Sequence, residues 1–249
     1  MTWCDKLASQ PSVGFQLDPF YGGGEAILTK LAALMMTWGT PEQPEFVVTP
    51  QPQDVFRVDI QRENGFLYSF DALKASVQFQ HRMQLKAISG GLPVAQLISS
   101  PKVFSSLLSD ATEMLIESTL LLPEAGRRHV MRVGVVSTTT VSEDDLPPGI
   151  LRFIEYLGRP WAGKLEGFNM ALTATVHEDE NVRERCIHRI AKAEEEDGLL
   201  TIVFDWQRFL KKKIPVTRRE LERACQATQK TALEYFEELA IGNAFDETA

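Results

Sequence analysis

Between residues 55 and 80 apolar and polar side chains alternate: Phe56, Val58 and Ile60 oppose Val55, Arg57, Asp59 and Gln61, and Val77 and Phe79 oppose Gln78 and Gln80. A period of two puts one set on each face of a strand. Glu63-Asn64-Gly65 stands between two such runs. Asn-Gly suits a two-residue hairpin turn because both central residues of that turn take positive φ. The middle of the first half is therefore expected to be antiparallel sheet, and one face of that sheet needs a cover.

The flanking segments supply the cover. Val13, Phe15 and Leu17 alternate with Gly14, Gln16 and Asp18 and predict a first strand, ended by Asp18-Pro19. After Gly22, Gly23 and Gly24, the apolar residues Ile27, Leu28, Leu31, Leu34 and Met35 recur at helical spacing, with Gly39 and Pro41 as the stop. Ser100-Pro101 predicts a second helix start, serine as N-cap and proline at the first helical position. Its stripe is Val103, Leu107, Leu108, Ala111, Met114 and Leu115, and it should end near Pro123.

The second half repeats that order. Met131, Val133 and Val135 read as a strand, residues 137–148 as a polar, acidic connection, and Ile150, Leu151, Phe153, Ile154 and Leu157 as a helix stopped by Gly158 and Pro160. Three strands follow, marked by Phe168 to Val176 in alternate positions, by residues 182–190, and by Leu200, Ile202, Phe204 and Trp206 after an Asp197-Gly198 turn. Thr217 and Glu220 form a capping-box pair ahead of the last helix.

Each half thus reads β-α-β-β-β-α. A shift of about half the chain sets Ile27 on Ile150, Leu31 on Ile154, Leu34 on Leu157, Trp38 on Trp161 and Phe79 on Ile202. The expected fold is α+β, with two similar halves at 1–126, including a polar leader over 1–12, and at 127–249. Antiparallel sheets with helices on one face would form a pseudo-dimer by internal duplication, the other face paired with its twin or exposed as a saddle.

Charge and length narrow the class of function. The 249 residues carry 34 acidic and 26 basic side chains, a formal charge of −8, which disfavours a protein living by phosphate contacts. Three cysteines, Cys4, Cys186 and Cys225, are too few and too scattered for a disulfide framework and make no CxxC motif. The first residues carry no basic start with an apolar run behind it. The most apolar stretch, over residues 26–38, is interrupted by Lys30 and falls short of the roughly 20 residues that cross a bilayer. A cytoplasmic protein with no membrane span is expected.

The candidate chemistry thins out on inspection. The Gly22–24 run lacks the GxxxxGK[ST] and GxGxxG patterns and is followed by Glu25, so it reads as a strand-to-helix turn. His177 and His188, if their strands turn near Glu180-Asn181, stand roughly 13 to 16 Å apart along the hairpin, too far to share a metal ion. Cys186 and His188 share a strand face at about 7 Å, too far for a nucleophile and its base. No catalytic residue, metal or cofactor is assigned.

What remains are surfaces. The leading expectation is a non-enzymatic adaptor or assembly subunit, with a protein partner or a second copy meeting Phe66, Tyr68, Phe70 and Trp206. The alternative is a small-molecule-binding protein or enzyme with a pocket between the halves or between sheet and helices, tested first at His81, His177 and Glu178. A third reading takes the basic cluster of Arg208, Lys211, Lys212, Lys213, Arg218 and Arg219 as a contact for single-stranded nucleic acid, against the net acidity.

Overall fold

The computed structural model describes residues 3–6, 10–36, 45–51, 55–62, 64–81, 83–86, 94–97, 102–158, 167–192 and 198–243. The chain runs through α1 (Trp3–Lys6), β1 (Gln10–Leu17), α2 (Gly23–Met36), β2 (Glu45–Gln51), β3 (Val55–Gln61), β4 (Phe66–Phe70), β5 (Lys74–Phe79), β6 (Met83–Lys86), β7 (Val94–Leu97) and α3 (Phe104–Leu121). It continues with β8 (His129–Ser142), α4 (Pro148–Gly158), β9 (Phe168–Glu178), β10 (Val182–Lys192), β11 (Leu199–Pro215) and α5 (Arg218–Ile241). The fold is mixed α+β.

Nine strands make one antiparallel sheet in the order β2-β3-β4-β5-β1-β8-β11-β10-β9, and β6 and β7 form a separate two-stranded ribbon. The two halves of the chain meet edge to edge. Val13 lies opposite Val135 and Gly14 opposite Gly134 along the β1–β8 seam. On each side of the seam the central strand pairs with the last strand of its own meander, β1 with β5 and β8 with β11. The halves therefore share one sheet and one core, instead of stacking two sheets.

Alternation decides which face is covered. Val13, Phe15 and Leu17 of β1, Ala75, Val77 and Phe79 of β5, Val133 and Val135 of β8, and Ile202, Phe204 and Trp206 of β11 all point to one side and are buried. On that side α3 packs on β1 and β5, α5 on β8 and β11, and α2 on β3. Their apolar stripes, Ile27 and Leu31, Leu107, Ala111 and Leu115, and Leu221, Cys225, Ala232 and Phe236, complete the core. At about 25 cal/mol per Å² of apolar area removed from water, this burial is the main force holding the sheet.

Several boundaries differ from the sequence reading. Residues 137–142, taken as a connection, belong to β8, where Ser137 and Thr139 are buried and pair with Phe204 and Ile202. β-Branched threonine fits a half-buried strand as well as a loop. α3 begins at Phe104 behind Val103, which offers no side-chain cap. Asp5 of α1 fills that role from a distance, its carboxylate accepting the Ser105 N–H at 2.9 Å. Thr217 likewise makes no side-chain cap bond to α5. The expected β3–β4 hairpin forms, but not through a two-residue Asn-Gly turn: only Gly65 takes positive φ, at 97°, its N–H donates to the Arg62 carbonyl, and a Cβ there would stand 2.6 Å from the Gln80 carbonyl. Ser100-Pro101, Gly39, Pro41, Trp161 and the acidic run at 194–197 lie outside the described residues.

Candidate functional site

The four aromatic residues expected at a partner surface are core. Phe66, Tyr68 and Phe70 alternate on the covered side of β4, and Trp206 is only 2% exposed beneath α5, against Tyr235 and Phe236. Their spacing of two has the same look whether a helix or a partner covers that face, and here helices do.

The pocket residues are not brought together. His81 follows β5 in the first half, its ring edge-on to Phe79 and both ring nitrogens buried with no partner among the described residues. His177 and Glu178 end β9, five strands away, or about 24 Å at strand spacing. His177 instead meets the Asp179 carboxylate at 3.2 Å. That carboxylate also accepts the backbone N–H groups of Val182 and Asn181, which hold its pKa down at about 2 and tie the β9–β10 turn.

The basic cluster is likewise dispersed. Arg208 faces the helix side and pairs with Glu184 at 3.2 Å. Lys211 pairs with Glu178 at 2.9 Å, Lys213 with Asp18 at 2.6 Å, and Arg218 with Glu113 at 2.8 Å. Lys212 and Arg219 are exposed and have no carboxylate partner among the described residues.

Two other regions carry features that a self-sufficient fold does not need. The first is the free end of the sheet at β9. From Phe168 to Val176 this edge strand holds no charged residue and no proline. Natural edges are usually blunted by lysine, proline or bulges, because their unpaired backbone groups recruit other strands. A register shift interrupts β9 only near its end, opposite Glu184 and Arg185. Phe168, Met170, Leu172 and Ala174 line its helix side, and Leu172 is 43% exposed.

Beside this edge lies a groove of about 710 Å³ between β9, β10 and β11 and the flank of α5. His177, Glu184 and Arg208 cross its floor in register on three adjacent strands, and Trp206, Tyr235 and Glu238 form its inner wall. Glu184 is only 3% exposed, and its Oε1 is held in an ion pair 3.2 Å from Arg208 Nη1. The Trp206 indole N–H is buried without a partner among the described residues. An unpaired buried donor costs about 1–3 kcal/mol, so the indole N–H favours an occupant that can accept from it. Deeper in, the Tyr235 hydroxyl and His188 Nε2 meet at 3.2 Å, and burial lowers the His188 pKa while raising that of Tyr235 to about 12.

The second region is the face of the sheet away from the helices. On β1, β5, β8, β10 and β11 it carries Lys74, Arg132, Arg183, Arg185 and Arg189, with Asp205 as the one carboxylate. Gly14 and Gly134 meet at its centre, leaving a hollow of about 150 Å³ rimmed by Ser12, Gln16, Lys74, Ser76, Arg132 and Gln207. The signal was present in the sequence as Arg183, Arg185 and Arg189 in odd positions of one strand. It becomes a patch only when β8 and β10 are placed either side of β11.

Reactive chemistry is sparse. Cys186 and Cys225 are free and buried, and burial pushes both thiols up to about 12, which keeps them protonated and inert. Among the described residues no group of three or more His, Cys, Asp or Glu side chains is placed to hold a metal ion. No described helix is long and apolar enough to cross a membrane. No protein-family model matches the chain, and no curated protein matches it in sequence.

Proposed function

We propose that this chain is a non-enzymatic assembly subunit or adaptor that docks a strand of another protein along β9, with the partner's following segment lying in the groove against α5. The observation that carries this reading is the uncharged, proline-free edge strand with its half-covered apolar row. An added strand supplies main-chain hydrogen bonds for affinity, and pockets for alternate side chains give specificity. The unpaired Trp206 N–H beside it gives the partner a polar anchor. The free thiols of Cys186 and Cys225 suit a cytoplasmic home. On both sides of the seam the central strand pairs with the last strand of its own meander, which supports descent of the two halves from one duplicated unit, with β2 as an extra strand in the first.

A second reading has its own observation. The groove is large enough for a small molecule, and His177, Glu184, Arg208 and Tyr235 converge on it from three strands and a helix.

Native mass spectrometry of the tagged full chain, purified gently from its own host beside Leu172→Lys, separates these. A protein partner or second copy in stoichiometric amount, lost in the variant while the variant keeps its melting temperature, is the expected result. A wild-type monomer with no protein partner overturns the docking reading. If that monomer carries a small-molecule mass, the groove becomes a ligand pocket.

A further inference from the structure

We infer that the helix-free face of the sheet binds a single-stranded nucleic acid, along a cationic row that crosses the seam between the halves. Lys74, Gln16, Arg132, Phe209 and Arg183 lie in register on β5, β1, β8, β11 and β10. That is four strand spacings, or about 19 Å. The next row holds Ser76, Gly14, Gly134, Gln207 and Arg185, and Arg189 stands exposed farther along β10.

The arginines are arranged for recognition and not for holding the fold. The guanidinium carbons of Arg132, Arg183 and Arg185 sit 5.4, 4.9 and 5.8 Å from the centre of the Phe209 ring. Cation–π contact fixes these long side chains without neutralising them. Among the described residues Arg132, Arg183, Arg185 and Arg189 make no ion pair with a carboxylate, and Arg185 Nε is buried with no hydrogen-bond acceptor. Two carboxylates stand near them and are outnumbered: Asp205, bonded by the Gln207 amide and attracted to Arg132, Arg185 and Arg189, and Glu178, opposite Arg183 and already paired with Lys211. By contrast, the basic residues around 208–219 are mostly spent on Glu184, Glu178, Asp18 and Glu113. The net charge of −8 therefore hides a face of opposite sign.

The central hollow selects among polyanions. Its floor is bare backbone at Gly14 and Gly134, and a Cβ on Gly134 would come within 3.1 Å of the Gln207 side chain. Its rim offers the amides of Gln16 and Gln207 and the hydroxyls of Ser12 and Ser76, which both donate and accept hydrogen bonds. Base edges need that mixture, whereas the carboxylates of an acidic peptide need donors alone. Splayed bases also stack on guanidinium planes, which the Phe209 cluster presents.

Fluorescence anisotropy of the full chain with labelled mixed-sequence 20-nucleotide RNA and DNA probes tests this. With five cations contributing about 0.7 each to the salt slope of a single strand, affinity should fall about 100-fold from 50 to 200 mM salt. Arg183→Glu with Arg185→Glu should cost at least tenfold and reduce the slope to about −2. Arg189→Glu, at an exposed position, should flatten the slope by about 0.7 with the melting temperature unchanged. Lys212→Glu with Arg219→Glu should leave binding within about twofold. Binding to either RNA or DNA with this pattern supports the proposal, and the preferred probe names the natural strand. No binding at 50 mM salt, tighter binding to duplex, equal competition by a poly-glutamate peptide, or equal loss in the Lys212/Arg219 variant overturns it.

Discussion

α2 and α4 hold corresponding places in the chain, each following a strand at the seam, yet they pack differently. α2 lies against β3 and α3 and buries Ile27 and Leu31 completely, closing the first arm of the sheet. α4 packs chiefly on α5, where Gly149 passes so close that a Cβ would stand 2.3 Å from the Leu239 carbonyl, and Arg152 donates to the Ile241 carbonyl at 2.9 Å. Held there, α4 leaves the second arm with the groove beside β10. The two sheet edges differ in the same sense: β2 contains Pro50, which lacks a backbone donor, while β9 keeps every amide from Phe168 to Glu178. The two arms thus end differently, one on a strand carrying proline and one on a strand whose amides are all present.

The contrast can be broken most forcefully at matched leucines. Leu31→Ala should cost about 3 kcal/mol of stability, because it empties a fully buried site, whereas Leu172→Ala on β9 should change stability by less than about 0.5 kcal/mol. Urea midpoints of the two variants give the comparison directly, and equal losses would mean that the second arm is as closed as the first. Gly149→Ala should follow at about 2 to 3 kcal/mol, since the clash is with backbone and not with a movable side chain. A silent Gly149→Ala would show that α4 is not anchored to α5.

The pH dependence sharpens the groove wall. Burial lowers the His188 pKa below 6.5, so as pH falls through 6.5 the unfolded chain takes up the proton before the folded one does. Stability carried by this site is complete above that value and declines toward pH 5. His188→Gln should flatten the fall in urea midpoint between pH 7.5 and 5.5, and an unchanged slope would place the titration elsewhere. The smallest effect is expected at Thr217→Ala, within about 0.5 kcal/mol, because this residue caps nothing here, where a working N-cap would cost about 1 kcal/mol.

Much of this architecture could be read from residue order. The period-two runs at Val13, Phe15 and Leu17 and at Val58 and Ile60, the Asn64-Gly65 turn, and the helical stripes of α2, α3 and α5 all name their elements, because local burial pattern and turn chemistry are local properties. Sheet order is not local. Nothing in β1 or β8 taken singly says that Gly14 will face Gly134, and without that seam the hollow and the cationic row do not exist. The aromatic residues Phe66, Tyr68, Phe70 and Trp206 mark a buried face in sequence, but the covering element has to be seen before core and interface can be told apart. The basic residues near 208–219 stand out by density, while their carboxylate partners come from distant segments such as Asp18 and Glu113. The arginines of β10 are less dense, yet with Lys74 and Arg132 they outnumber the nearby carboxylates Asp205 and Glu178.

Backbone hydrogen exchange across β9, compared between the assembly purified from its own host and the same chain alone, distinguishes a docked edge from an open one. If β9 docks a partner strand, its amides between Phe168 and Val176 that point away from β10 exchange quickly in the isolated chain and become strongly protected in the assembly, while those of β1 and β8 are slow in both. Equal exchange of β9 in the two samples, with new protection confined to another surface, would contradict docking there.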